Sequence, residues 1–250
     1  MTKKLEGKRA LVTGASRGIG RAIAVALAEA GANVAVGYRR DLESAESAVK
    51  EIEAHGRQGY AHQCDVREGP AVHAFVDATL EKLGGLDIVV ANAGVPTRFE
   101  PLQNVDPGYW QRVIDIDLTG VFHTLHAALP PLREQEEGVI LTVSSVAADM
   151  FGAFGGPYVA AKAGVNALTK VVARENAAKN VRANVIAPGL IQTDIADGML
   201  EAHGESIVKS IPLGRIGNVD EVAQMAVYLA SPDAAWITGK VFRIDGGQYV

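Results

Sequence analysis

From Arg9 onward the chain alternates short apolar runs with longer stretches in which apolar residues recur every three to four positions. The short runs are 9–13, 33–38, 59–64, 86–90, 139–143, 181–187 and 240–244. Their length and their valine and isoleucine content predict strands. The longer stretches predict helices over 19–31, 42–54, 71–83, 108–129 and 220–230, plus one that begins near Tyr158 and carries Val165, Leu168, Val171 and Val172. Pro130-Pro131 predicts that the helix over 108–129 ends there, because proline removes a backbone donor and clashes with the preceding turn. Strands and helices in strict alternation predict a parallel sheet covered on both faces, a doubly wound α/β fold. Residues 1–250 read as a single domain. A glycine- and proline-bearing insertion around 190–218 (Gly198, Gly204, Pro212, Gly214, Gly217) looks mobile and lies on the side where a substrate would enter.

Composition narrows the function class. The chain has 250 residues, 48% hydrophobic, with a formal charge of −5 and a pI near 5.7. That is enough for one large core. No basic block exceeds Lys3-Lys4 or Arg39-Arg40, which argues against a nucleic-acid partner. No apolar run reaches the ~20 residues of a membrane span, and the charged start lacks a signal peptide's apolar stretch. The one cysteine, Cys64, forms no internal disulfide, consistent with a reducing, cytoplasmic setting. The histidines offer no convincing metal-ligand set, although His123 and His126 are three apart.

The candidate chemistry gathers at strand ends, where ligands bind in open parallel sheets. The first strand runs into Gly14-Ala-Ser16-Arg17-Gly18-Ile19-Gly20 and then a helix. Free N–H groups and the helix dipole make such a turn a seat for a dinucleotide pyrophosphate, and glycines let the phosphates come close. The Gly-x-x-x-Gly-x-Gly spacing differs from the commoner Gly-x-Gly-x-x-Gly, and the turn lacks a P-loop's Lys-Ser/Thr ending. At the tip of the second strand stands Tyr38-Arg39-Arg40, with no carboxylate before Asp41. An acid there would bind the 2′-hydroxyl of NAD; arginines suit a 2′-phosphate. Arg17, inside the glycine turn, is expected to reach the same phosphate, so NADP(H) is the expected cofactor, the alternative being that these arginines are merely solvated. Asp65-Val66 follow the third strand, Asn92-Ala93-Gly94 the fourth, Ser144-Ser145 the fifth and Pro188-Gly189 the sixth.

Tyr158 and Lys162 are four apart on a predicted helix, so their Cβ atoms stand about 6 Å apart on one face. An ammonium beside a phenol favours the phenolate form, and such a phenol can exchange a proton near neutral pH. By itself Tyr-x-x-x-Lys is also compatible with a surface lysine and a packed tyrosine.

Thr13-Gly14-Ala-Ser-Arg-Gly18-Ile-Gly20, Asn92-Ala-Gly94, Ser145, Tyr158-x-x-x-Lys162 and Pro188-Gly189, with Ile237-Thr-Gly239 and Asp245-Gly-Gly247 near the end, together resemble the short-chain dehydrogenase/reductase family across nearly the whole chain. The likeness is strongest to its β-ketoacyl reductases. The resemblance implies a Rossmann-type sheet and reversible, NADPH-dependent reduction of a ketone to a secondary alcohol. It implies that Tyr158 protonates the carbonyl oxygen, that Ser145 hydrogen-bonds the same oxygen, and that Lys162 tunes Tyr158 and holds the nicotinamide ribose. Ser145 is preferred over Ser144 by the family's spacing to the tyrosine. Gly14, Ser16, Arg17, Gly18, Ile19 and Gly20 would bind the pyrophosphate side. Tyr38, Arg39, Arg40, Asp65, Val66, Asn92, Ala93 and Gly94 would meet the adenosine side, and Pro188, Gly189, Ile191 and Thr193 the nicotinamide. The family also implies a homotetramer with the helices of Tyr158 and Gly108 and the last strand at interfaces.

One position departs. The family has Asn in an Asn-x-x-Gly motif where this chain has Asp117-Leu-Thr-Gly120. An ionised aspartate accepts hydrogen bonds but cannot donate them. It is expected to accept from a water or pair with Lys162, giving a working site with an altered pH profile; a weakened, NADP-binding subunit is the competing expectation. For the substrate, an acidic carrier protein calls for basic surface at the site's rim, and the stretch Arg133-Glu-Gln-Glu136-Glu137 before the fifth strand would repel it, with Arg174 and Lys179 as partial compensation. That favours CoA esters or free small ketones among 3-oxoacyl compounds. Sugars, polyols and cyclic alcohols are the alternatives, and Val95, Phe99, Phe151, Phe154 and Met199 are candidate pocket walls.

Overall fold

The computed structural model describes residues 3–149, 154–193 and 208–249. Among them, seven parallel strands form one sheet: β1 (Arg9–Val12), β2 (Asn33–Tyr38), β3 (Gly59–Gln63), β4 (Ile88–Ala91), β5 (Gly138–Val143), β6 (Val181–Pro188) and β7 (Val241–Ile244). Their order is β3-β2-β1-β4-β5-β6-β7. The chain winds outward from β1 in one direction and from β4 in the other, so a crevice opens above the carboxyl ends of these two neighbours. The expected doubly wound α/β fold is the observed one.

Seven α-helices cover the sheet among the described residues: α1 (Gly18–Glu29), α2 (Leu42–Ala54), α3 (Gly69–Leu83), α4 (Pro107–Ile114), α5 (Gly120–Glu134), α6 (Gly156–Asn176) and α7 (Val219–Ala230). The period of two along the strands sorts the core into two layers. Ala10, Val12 and Val90 join Ile23, Ile52 and Val222 of α1, α2 and α7. Leu11, Val89 and Ile140 join Phe75, Leu125 and Val165 of α3, α5 and α6. Local signals set the ends: the Asp41 side chain accepts from Ser44 N–H to cap α2, and Asn218 and Glu221 form a reciprocal capping box on α7.

Two sequence expectations are corrected here. The helix does not end at Pro130-Pro131; α5 runs through both to Glu134. The prolines cost about two backbone hydrogen bonds, each worth roughly 1 kcal/mol, while buried Leu132 and Leu125 return about 2–3 kcal/mol each. Packing overrides the local rule.

The acidic stretch, moreover, is not beside the candidate site. Glu136 and Glu137 immediately precede β5, at the sheet's amino edge. There Glu137 pairs with Lys8 at 2.8 Å, Glu136 with Lys179 at 2.6 Å, and Arg9 with Asp87 at 2.7 Å. Arg133 reaches Asn176 at the far end of α6 at 2.6 Å, so the last turn of α6, with Arg174, is at this edge too. All strands are parallel, so the chemistry-bearing loops lie at the opposite edge. The charge argument against a carrier protein therefore falls.

Candidate active site

The crevice is closed at its base by Thr13, which follows β1 and is buried. Its Oγ accepts from the backbone N–H of Asn92 at 3.0 Å and of Ala93 at 3.1 Å. The Asn92 side-chain amide donates back to the carbonyls of Thr13 and Gly14 at 3.0 and 3.1 Å. The turn after β1 and the loop after β4 are thus laced together at the switch point. Gly14 has φ +63°, and a Cβ there would stand 2.9 Å from Ala93 Cα, so a side chain is barred by backbone angle and by space. The result is a shallow cradle at the amino end of α1, in which Asn92 serves as a brace. Thr193 comes to the same place, its methyl 3.6 Å from where a Cβ of Gly18 would be.

At the tip of β2, the carboxylates within electrostatic reach of the arginines, Asp41 and Asp65, are already engaged. Asp41 accepts from Ser44 N–H at 3.0 Å and from its hydroxyl at 2.6 Å; these bonds hold its carboxyl below the ordinary carboxylate range. Arg17 and Arg40 are exposed and Arg39 is half-buried. None of the three guanidinium groups has a hydrogen bond or ion pair among the described residues. Asp65 is held by Arg67 at 2.6 Å and its carboxyl is depressed chiefly by that bond. Tyr38 closes β2 by accepting from Cys64 N–H at 2.7 Å, and Val66 packs against Gly120.

On the other side of the crevice, α6 presents Tyr158 and Lys162. Lys162 is 3% exposed, and its Nζ sits 5.5 Å from the Tyr158 ring centroid. One of its three protons goes to Val143 O at 3.1 Å. Another faces Asp117 Oδ1 at 3.2 Å. Asp117 is wholly buried because the helix widens there: Asp115–Thr119 is a π-helical turn between α4 and α5. Such a turn inserts a residue and rotates the following side chains. The Asp117 carboxylate also accepts from Val95 N–H at 3.2 Å. Gly94 lies against the pair; a Cβ there would be 2.7 Å from Asp117 Oδ1.

The two serines after β5 separate cleanly. Ser144 is buried and donates its hydroxyl to Lys162 O at 3.1 Å, fastening α6 to the strand end. Ser145 accepts from Ala147 N–H at 3.1 Å, which leaves its own proton to be donated. Gly189 N–H donates to Ile244 O at 2.9 Å, placing Pro188-Gly189 beside the end of β7, and Ile191 bridges to Gly217.

The described part of the expected insertion is anchored. Leu213 N–H donates to Gly246 O at 3.1 Å and Ile211 is buried. The remainder, with Gly198, Met199 and Gly204, lies outside the described residues, as does Phe151. Phe99 and Phe154 are strongly exposed, and the loop carrying Phe99 leans on the start of α6 through Thr97 against Gly155 and Leu102 against Gly156. His73 and His126 approach to 3.3 Å, yet no group of three metal-ligating side chains occurs among the described residues.

Sequence reasoning named Thr13 within a motif, passed over Ser144 for Ser145 and took Val95 as a pocket wall, and so missed the bonds these three make here. Thr13 and Ser144 had a usable signal, a polar residue closing an otherwise apolar strand. Val95 acts through its backbone, which any residue could supply.

Comparison with known proteins adds the following. A family model described as Enoyl-(Acyl carrier protein) reductase matches residues 14–248. The chain is 42% identical over 247 residues to the 3-oxoacyl-[acyl-carrier-protein] reductase FabG of Staphylococcus aureus, covering 97% of this chain and 98% of that protein. A short chain dehydrogenase from Burkholderia cenocepacia, solved in complex with NADP, superposes with TM-score 0.92 at 36% identity, covering 98% and 99% of the two chains. A 7α-hydroxysteroid dehydrogenase complexed with NADH and 7-oxo glycochenodeoxycholic acid gives TM-score 0.93 at 32% identity, covering 98% and 96%.

Proposed function

Because the chain belongs to the short-chain dehydrogenase/reductase family, we propose that it reduces the ketone of a 3-oxoacyl thioester to a secondary alcohol, with NADP(H) as its dinucleotide. The observation that carries this reading is the buried Lys162 held beside Tyr158 at the carboxyl edge of β5, with Ser145 adjacent. The dinucleotide, when bound, supplies the hydride. The glycine cradle and the three unpartnered arginines fit such a group: the cradle admits a pyrophosphate at the α1 amino end, and Arg17, Arg39 and Arg40 suit a 2′-phosphate where Asp41 is engaged in capping α2.

Tyr158 gives its phenolic proton to the carbonyl oxygen as negative charge develops there. Ser145 donates a hydrogen bond to the same oxygen. Lys162 stabilises the phenolate left behind, and its third proton, free among the described residues, is available to ribose hydroxyls. Ser144 and Asp117 hold that lysine in place. Support for a thioester comes from the reductase relatives, and Glu136 and Glu137, at the opposite edge, do not stand in a carrier protein's way. The exposed apolar rim of Phe99, Leu102 and Phe154 also favours a second reading, a dehydrogenase of cyclic alcohols like the steroid enzyme. The exposed Trp110, Phe122 and Val171 on α4, α5 and α6 support assembly into a homotetramer through those helices.

The test is NADPH and NADH consumption by the purified protein with a carrier-protein 3-oxoacyl thioester, acetoacetyl-CoA, a ketosugar and a cyclic ketone. Turnover of the thioesters with NADPH, lost in Tyr158→Phe, is the expected result. Preference for the cyclic ketone would move the substrate to the second reading, and preference for NADH would reverse the cofactor assignment.

A further inference from the structure

Asp117 brings a second ionised group into a site where proton transfer needs only a phenol and an ammonium. Its surroundings are simple enough to say what that charge does. The groups in contact with its carboxylate are Lys162 Nζ and Val95 N–H. On α6 the nearest titratable group beyond Lys162 is Tyr158, on the lysine's far side. On the flanking helices, Arg112 is exposed and Asp115 is held by Gln111 at 2.7 Å. His123 turns to Val66 O at 2.9 Å. In the loop after β3, Asp65 and Arg67 hold one another. Lys162 is thus the only charge that Asp117 meets among the described residues.

A lone buried ammonium beside Tyr158 would favour phenolate strongly. With Asp117 at 3.2 Å, the lysine and its partner form a nearly neutral pair, and the phenol feels a dipole in place of a full positive charge. We propose that Asp117 is a positioning residue that sets the pH window of proton transfer: by offsetting the charge of Lys162, it keeps Tyr158 in its proton-donating form to more alkaline pH than a neutral side chain at 117 would. The inference rests on the proposed carbonyl reduction. In that direction the Tyr158 O–H bond breaks, its proton goes to the carbonyl oxygen, a C–H bond forms at the carbonyl carbon from the hydride, and the dinucleotide is oxidised. In the reverse direction Tyr158 must already be phenolate to take the alcohol proton. The overall equilibrium is untouched, since a side chain cannot alter it. What moves is the pH at which each direction reaches its plateau.

The ionised pair rests on the 3.2 Å contact; the lysine's direction of titration agrees with it and the aspartate's runs against it. Burial pushes the Asp117 carboxyl up from its ordinary value, with Lys162 and Val95 N–H pulling against it. Burial also opposes charging of Lys162, but Asp117 and Tyr158 outweigh it and the ammonium is pushed up. Gly94 preserves the arrangement, since any side chain there would strike the carboxylate.

The test compares wild type with Asp117→Asn in two measurements. The first is kcat/KM for reduction of acetoacetyl-CoA across mildly acid to alkaline pH, each profile normalised to its own acid plateau. The second, on cofactor-free protein, is the alkaline rise of phenolate ultraviolet absorbance, taken as the difference from the same protein carrying Tyr158→Phe. In Asp117→Asn both the fall in reduction and the rise in phenolate are expected at lower pH, leaving normalised reduction about tenfold below wild type on the alkaline limb. Superimposable profiles would overturn the proposal. A move to higher pH would also overturn it, because it would mean that Asp117 acts mainly by keeping Lys162 charged. If Asp117→Asn does not melt cooperatively, Asp117→Ser carries the same comparison. Wild type inactive with every ketone removes the reductase reading, and this inference with it; active wild type with coincident profiles removes the inference alone.

Discussion

The two edges of the sheet treat their cations differently. At the amino edge, Lys8, Arg9 and Lys179 each sit within 2.6–2.8 Å of a carboxylate, closing the strand starts with ion pairs. At the carboxyl edge, the guanidinium groups of Arg17, Arg39 and Arg40 make no hydrogen bond or ion pair among the described residues, with Asp41 and Asp65 acting on Arg17 and Arg39 only at longer range, and Lys162 is buried against Asp117 with a proton to spare. The exposed pairs of Lys8 and Lys179 contribute little to stability, whereas the carboxylate that holds Arg9 is the buried Asp87. Charges left unpaired around a cradle of backbone N–H groups are set for an anionic ligand. The edges lie roughly 20 Å apart, the length of a five- or six-residue strand, about two Debye lengths at physiological salt. Composition sums over both edges, so the chain's net negative charge conceals a locally positive site.

Three sets of substitutions test that contrast, in order of expected effect. Lys162→Met should strike both turnover and fold. Loss of the group that steadies Tyr158 is expected to lower kcat by about 10²–10⁴-fold. Leaving Asp117 buried without its partner is expected to cost about 3–5 kcal/mol, read as a lower melting temperature. Adding Asp117→Leu to Lys162→Met should recover much of the stability and none of the turnover. If Lys162→Met melted like wild type, the pair would not be the buried ion pair described here.

Arg39→Ser combined with Arg40→Ser removes the charges at the β2 tip. Each charge-assisted bond to a phosphate is worth about 1.5–3 kcal/mol, so the KM for NADPH should rise at least about tenfold while that for NADH stays near its wild-type value. Equal weakening of both dinucleotides would show that these arginines do not read the 2′-phosphate. The smallest effect is expected at the opposite edge. Glu136→Lys with Glu137→Lys should leave turnover of a carrier-protein thioester within about twofold of wild type, given the screening over the intervening distance. A large gain would return the acidic stretch to the docking face and collapse the distinction between the edges.

The sequence was most legible where the signal is local. The predicted strand 33–38 and helix 42–54 match β2 and α2 to the residue, because a parallel strand buried on both faces is continuously apolar and Asp41 announces its helix. Reading failed where a local rule met a tertiary force. Pro130-Pro131 was expected to end a helix that Leu132 holds together. Glu134 to Glu137 read as flanking the site because linear proximity to Ser145 says nothing about which end of β5 a residue occupies; the strand lies between them. Asp117 stood out in the sequence as a departure from the family's Asn-x-x-Gly motif, and pairing with Lys162 was among the possibilities; the π turn and the contact with Val95 N–H were not visible.

What the sequence determined by itself was the succession of elements, the parallel sheet and the set of residues delivered to strand ends, since hydrophobic period, caps and glycine turns act within a few residues. What only the tertiary structure decided was which of those residues meet. It braced Asn92 against Thr13, engaged Ser144 on the backbone of Lys162 while leaving Ser145 a proton, and set a carboxylate against a lysine 45 positions away (162 − 117 = 45). Such contacts depend on how helices seat on the sheet. That is a property of the whole packed core, in which a single widened turn can carry a charge inward.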